Sequence, residues 1–275
     1  MPSLDKKFSK LRDFISEKGR DGAVISFSGG VDSSTLALIC RQILNKKAVA
    51  VTAISPTYPS EEVKQARKLA REIGIRHILI ETHELLNGDF VRNPENRCYY
   101  CKKELLSKLQ KVADELKFRT IFEGTNYSDL KGHRPGFKAV KELERVYSPW
   151  VEARFTKGDI RMLAKKLHLS IADKPSSACL ASRISFNERI TVERLKRVEK
   201  AEQAIRRITG VRQLRVRDHK GLARIEIEKE AINSLFDIRI INRITKDLKK
   251  LGFNFVTLDL EGFRTGSMLR ILENL

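Results

Sequence analysis

Cys98 and Cys101 form a C-x-x-C pair, and Cys179 stands far downstream. Thiolates attack disulfides, bind zinc and ligate iron–sulfur clusters. A redox pair of the thioredoxin kind usually follows a strand in a βαβ unit, whereas a long irregular segment precedes this one. Structural zinc calls for four ligands, and neither a second C-x-x-C nor a nearby Cys/His pair supplies the fourth. Three thiolates suit a [4Fe–4S] cluster with one iron left open, which could take up a hydrosulfide and deliver sulfur. Spacing alone leaves cluster, zinc and metal-free thiols open. Cys40, set among Leu36, Ala37 and Ile39, reads as a small core residue.

A second chemical signal lies at 28–34, SGGVDSS, after the apolar run at 23–27. Gly29 and Gly30 let backbone amides approach an anion, and the start of a following helix adds its positive dipole end. Ser28, Ser33 and Ser34 offer hydroxyl donors, and Asp32 is placed to hold the Mg²⁺ that accompanies pyrophosphate. Neither G-x-x-x-x-G-K-[ST] nor a G-x-G-x-x-G after a strand is present, which argues against a Walker kinase and a dinucleotide oxidoreductase. A lone SGG is more often a serine-capped glycine turn; the full heptad between strand and helix is more specific.

The elements that must position these residues follow from periodicity. Helical spacing of Leu4, Phe8, Leu11 and Ile15 predicts a helix over 3–18. Strands are expected at 23–27, 48–54, 77–81 and 120–123. Helices are expected through Cys40 to Leu44 and over 60–73, 99–116 and 156–167, the last opened by a capping-box-like Thr156 and Asp159. This alternation predicts an α/β fold with a parallel sheet covered by helices, whose ligands sit at the carboxyl ends of the strands. The turn-rich segment 124–136 follows a strand, where an active-site loop belongs. After Arg183 the order becomes helix, two alternating strands, helix and strand, as in a small α+β domain of ferredoxin-like kind. Along 211–217, a period of two puts Gln213, Arg215 and Arg217 on one face, by default an exposed polar one.

The loop at 28–34 resembles the PP-loop of ATP pyrophosphatases, and Gly124, Thr125, Asn126 and Asp129 resemble that superfamily's second nucleotide-contacting segment. Together with 96–105, 123–136, 148–167 and 173–184, the motifs resemble the LarE family of PP-loop sulfur transferases. The resemblance implies a PP-loop ATP pyrophosphatase domain at 1–183 and a substrate-binding or oligomerisation domain at 184–275. It also implies ATP and Mg²⁺ as cofactors and a small nucleotide substrate, pyridinium-3,5-biscarboxylic acid mononucleotide. A carboxylate of that substrate is adenylated and its oxygen replaced by sulfur. One family variant sacrifices the sulfur of a single cysteine matching Cys179; the other holds a [4Fe–4S] cluster on three. Cys98, Cys101 and Cys179 place this chain with the cluster type, with Cys179 and Asp32 as catalytic residues. Arg215 and Arg217 match the arginines that hold the substrate phosphate. Arg183 and Arg134 are weaker anion-binding candidates, and His133 reads as a solvated loop residue. Hexameric self-assembly and a downstream cofactor-biosynthesis enzyme are the implied partners.

Charge leaves one rival. The chain carries 54 Lys+Arg against 35 Asp+Glu, a net +19 that draws polyanions. PP-loop enzymes also thiolate tRNA, and 191–217 holds nine basic residues against three Glu, which suits a phosphate backbone. That stretch has no aromatic residue on which a splayed base could stack. With no secretory leader, no membrane span and too few cysteines for a disulfide scaffold, a soluble, reduced, cytoplasmic protein is expected.

Overall fold

Apolar runs and punctuating glycines give the chain its elements. The computed structural model describes residues 3–131, 135–175, 177–264 and 266–268. The first half contains α1 (Leu4–Lys18), β1 (Ala23–Ser26), α2 (Val31–Leu44), β2 (Ala48–Ile54), α3 (Ser60–Ile73), β3 (Arg76–Glu81), α4 (Gly88–Val91), α5 (Arg97–Glu115) and β4 (Thr120–Phe122). Then follow α6 (Pro135–Lys141), β5 (Val146–Tyr147), α7 (Pro149–Glu152), α8 (Lys157–Lys166), α9 (Val192–Thr209), β6 (Leu214–His219), β7 (Leu222–Ile227), α10 (Ile238–Lys250) and β8 (Phe255–Leu258).

The chain forms two compact units, Met1–Glu84 with Asn96–Ser177, and Leu85–Glu95 with Ala178–Leu275. Where the sequence suggests continuous domains meeting at 183/184, the segment 85–95 packs with the later residues. Its Asn93 amide donates to the carbonyls of Ile184 and Ser185, at 3.2 and 2.7 Å, and its backbone pairs with Asn187 and Ile190.

In the first unit a five-stranded sheet runs in the order β3-β2-β1-β4-β5, every pair parallel. Its central strands are buried on both faces, so they read as unbroken apolar runs. Ala23, Ile25 and Phe27 face a core built with α1, α2 and α8 residues such as Leu11, Ile39 and Leu163. Val24, Val49 and Val51 face the opposite core with Leu106, Leu109 and Val140. Each buried Val, Leu, Ile or Phe side chain of these cores contributes roughly 1.5–3 kcal/mol. Parallel pairing places every strand's carboxyl end on one edge, which gathers the loops after β1, β2 and β4 there.

The second unit has a three-stranded sheet in the order β6-β7-β8, with β6 and β7 antiparallel and β8 parallel to β7. Lys220 and Gly221 join β6 to β7 with φ of 50° and 92°, the positive values that a two-residue hairpin needs to match strand twist. Among the described residues, no helix is long and apolar enough to cross a membrane.

Candidate functional site

The loop at 28–34 leaves β1 and enters α2, with Gly30 as the N-cap. Gly29 has φ of 70°, and a Cβ there would lie 3.0 Å from the Ala66 Cα on α3, so both conformation and space demand glycine. The serines are ordered within the loop. Ser33 Oγ accepts from the Ser28 amide at 3.2 Å and donates to the Gly30 carbonyl at 3.2 Å, while Ser28 Oγ accepts from the Gly30 amide at 3.4 Å. Ser34 Oγ is buried with no hydrogen-bond partner among the described residues. A glycine cradle at a helix N-terminus with an unused hydroxyl fits a polyphosphate.

Asp32 lies in the first turn of α2, its carbonyl accepting from Trp150 Nε1 at 3.2 Å. Lys157 Nζ reaches both carboxylate oxygens at 2.7 Å, and Asn126 Nδ2 reaches Oδ2 at 3.4 Å. Lys157 is the residue that motif reading misses. Its signal is local: the capping box of Thr156 and Asp159 is present, and it holds Lys157 at the first position of α8. Carboxylate and ammonium together at an anion-binding helix end can take a divalent cation and a phosphate by exchanging partners. The donor set fits Mg²⁺–ATP.

The second segment packs directly on this loop. A Cβ on Gly124 would lie 3.4 Å from the Ser33 amide nitrogen. Asn126 is buried, and its Oδ1 accepts from Ser128 and Asp129 amides at 2.9 and 3.3 Å; Asp129 Oδ2 accepts from the Asn126 amide at 3.2 Å. Ser28, Gly29, Gly30, Asp32, Ser33, Ser34, Gly124, Thr125, Asn126 and Asp129 thus all belong to the carboxyl edge of one sheet.

Cys98 and Cys101 lie in the first turn of α5, three residues apart and therefore on one helical face. Cys98 is exposed and Cys101 half-buried, with Tyr58 Oη 3.8 Å from the Cys101 sulfur. The next residue, Lys102, pairs at 2.9 Å with Glu123, whose carboxylate also accepts from Thr125 and Ser148. Burial alone would raise the Glu123 carboxyl; Lys102, Ser148 and Thr125 together hold it below the ordinary range. Glu123 therefore joins the cysteine helix to the loop after β4. Cys40 is fully buried, and burial pushes its thiol up, which leaves it inert.

In the second unit Cys179 is half-buried and caps the 3₁₀ turn Leu180–Arg183. Arg215 and Arg217 are buried, as are Leu214 and Val216 beside them, so the exposed polar strand face expected for 211–217 does not exist. β6 is covered on both sides, and alternation alone cannot reveal that. Arg217 donates to the Ser182 carbonyl at 2.9 Å, to Glu226 at 2.7 Å and to Ser267 Oγ at 3.0 Å, and its Nε is buried without a partner among the described residues. Arg215 lies over the Phe263 ring, 5.3 Å from its centroid. Burial and then the neighbouring Arg183 push the Arg215 guanidinium down to about 10, so an anion here relieves a strained positive charge. His133 and Arg134 lie outside the described residues. Among the described residues no group of three or more His, Cys, Asp or Glu side chains is gathered for a metal. The donor chemistry of the α5 pair, two thiols on one accessible face, fits two ligands of a thiolate-held cluster.

A parallel sheet with SGGVDSS between β1 and α2 defines a PP-loop α/β protein. The family model described as NAD synthase matches residues 4–96, the part that carries this loop. The pyridinium-3,5-bisthiocarboxylic acid mononucleotide synthase of Lactiplantibacillus plantarum is 34% identical over 247 residues, covering 89% of this chain and 87% of its own length. An uncharacterized Synechocystis protein is 41% identical over 269 residues, 98% of this chain and 99% of its own. One from Methanocaldococcus jannaschii is 32% identical over 265 residues, 94% and 98% respectively. The chain belongs to the LarE family of PP-loop proteins.

Proposed function

We propose that the chain is an ATP-dependent sulfur transferase acting on a carboxylate of pyridinium-3,5-biscarboxylic acid mononucleotide. The observation that carries this reading is the Asp32 and Lys157 pair over the glycine cradle of α2, in a chain 34% identical to the Lactiplantibacillus synthase. Asp32 holds Mg²⁺, and the amides of 28–34 with Lys157 hold the phosphates. The substrate carboxylate oxygen attacks the α-phosphorus, the bond to the β-phosphate oxygen breaks, and pyrophosphate leaves. A hydrosulfide sulfur then attacks the acyl carbon and loses its proton, and the C–O bond to AMP breaks, which leaves a thiocarboxylate. A [4Fe–4S] cluster held by Cys98, Cys101 and Cys179 would supply the sulfide at an open iron. Arg215 and Arg217 bind the substrate's phosphate through planar guanidinium forks.

The internal pairing of several basic residues at 191–217 favours this substrate over tRNA. Arg194 and Arg197 are committed to Asp218 and Arg206 to Glu202, which leaves Lys196, Lys200, Arg207 and Arg212 as the exposed cations of the stretch for a phosphate backbone. Anaerobic incubation with ATP, sulfide and the biscarboxylate nucleotide should give AMP, pyrophosphate and a product heavier by the exchange of oxygen for sulfur. ADP and orthophosphate as primary products, or an unchanged nucleotide mass, would sink the reading.

A further inference from the structure

Cys179 caps the 3₁₀ turn Leu180–Arg183 and ends a stretch without a regular period. Residues 173–179 read DKPSSAC, with neither helical nor strand period. The Cys179 carbonyl accepts from the Ser182 amide at 3.1 Å within the turn, and further donors come from side chains. Arg183 supplies them by folding back over its own turn: Nη1 donates to the Ala178 carbonyl at 2.7 Å, the Cys179 carbonyl at 3.0 Å and Ser182 Oγ at 3.1 Å. Ser182 Oγ donates to the Cys179 carbonyl at 2.8 Å, and Arg217 takes the Ser182 carbonyl.

The other edge of the Arg183 guanidinium docks on Glu202 of α9. Nε meets Oε1 at 2.8 Å and Nη2 meets Oε2 at 3.2 Å, with the side chains 1% and 4% exposed. Glu202 Oε1 also accepts from the Val216 amide at 3.2 Å, which ties the pair to β6. A planar fork held on both oxygens cannot rotate, so the edge facing Cys179 is aimed.

We propose that Arg183 is a positioning residue that sets the backbone of Cys179, and hence its thiol, for sulfur transfer, with Glu202 fixing the orientation of Arg183. This rests on Cys179 being the cysteine that handles sulfur. Arg183 touches neither the reacting atoms nor a ligand; it acts through the carbonyls of the turn. Only a guanidinium serves, because one ammonium cannot span three acceptors on one side and a carboxylate on the other.

The test uses the full chain in three forms: wild type, Arg183→Lys, and the double variant Arg183→Met/Glu202→Leu, which removes both partners of the buried pair together and leaves Arg206, 37% exposed, to water. Two readouts are taken. In the assay above, the double variant should keep its KM for ATP within about twofold while kcat for thiocarboxylate falls by about a hundredfold, as expected for a misplaced reacting group. AMP released per thiocarboxylate should rise, since adenylation continues without sulfur capture. Separately, before any cluster reconstitution, iodoacetamide labelling resolved by peptide mass should change for Cys179 by at least about fivefold relative to Cys98 in the same sample. Arg183→Lys should show the same losses in milder form, and it decides the matter if the double variant does not fold. Wild-type coupling and labelling in these variants would overturn the proposal. If wild type makes no thiocarboxylate, the functional reading fails while the labelling contrast still decides whether Arg183 sets Cys179.

Discussion

The Asp32–Lys157 pair of the first unit stands partly in water, whereas the Arg183–Glu202 pair of the second is held almost wholly out of it. Asp32 and Lys157 are 21% and 35% exposed, and each rests on the end of an element. Arg183 and Glu202 are 1% and 4% exposed inside a network that reaches α9 and β6. A part-exposed pair contributes little stability, of order 1 kcal/mol or less, so its partners exchange readily for Mg²⁺ and phosphate. A buried pair adds little net stability when whole, but breaking it by losing one partner costs about 3–5 kcal/mol. The loop site is therefore suited to binding and release, and the arginine cluster to holding geometry.

The largest effect expected is on turnover. Serine at Cys98, Cys101 or Cys179 should each abolish repeated sulfur transfer and reduce bound iron after reconstitution, whereas Cys40→Ala, far from the chemistry, should leave activity near wild type. Iron analysis and sulfide-dependent turnover decide this. Dehydroalanine at Cys179 with activity independent of the α5 pair would replace the cluster by a sacrificial cysteine.

Stability should separate the two regions next. Arg217→Met takes from the fully buried Glu226 carboxylate one of its two arginine partners, Arg224 remaining at 3.0 Å, and should destabilise the fold by about 1.5–3 kcal/mol. Lys157→Met should cost about 1 kcal/mol or less. Denaturant melts of the two variants check the contrast, and equal losses would erase it.

Ligand affinity should separate them in a third way. Lys157→Met should weaken ATP binding by about tenfold, and Asp32→Ala should remove its Mg²⁺ dependence. Arg215→Met should raise the KM for the nucleotide substrate by about ten- to a hundredfold and leave ATP binding unchanged. Calorimetry with ATP alone reads the first arm and steady-state kinetics the second.

The smallest effect expected is in acid. Burial would raise the Glu202 carboxyl, but Arg183, Arg215 and Arg206 hold it below its ordinary value, and Asp218 is likewise lowered, by Arg194 and Arg197 together with the Gly221 amide, against its own burial. In both, the unfolded chain binds protons more readily than the folded one. Their stabilisation is therefore complete above the ordinary carboxylate range and is lost as pH falls through the lowered folded values. Melting temperature should stay flat from neutral pH to about 5 and fall below about 4. In Glu202→Gln that fall should be shallower, from a lower starting stability.

Much of the frame is legible in the chain. The strands Ala48–Ile54 and β1, the loop at 28–34 and the Thr156 capping box each follow from side chains within a few residues of one another. The elements that escape a reading by period are the short ones: β5 with two residues, α7 with four and α6 with seven. A segment shorter than two turns, or than one alternation, carries no period to detect.

The chemistry of the loop at 28–34 is set locally, because a glycine's φ, a cap and a helix N-terminus are properties of neighbouring residues. Which charges meet is settled by long-range packing. Asp32 and Lys157 are 125 residues apart, and Arg217 is 35 residues from the Ser182 carbonyl it holds. Whether β6 presents arginines to water or buries them depends on what α9 and the 3₁₀ turn at Leu180–Arg183 lay over it. Desolvation is a property of the packed neighbourhood, and no pattern within a strand encodes it.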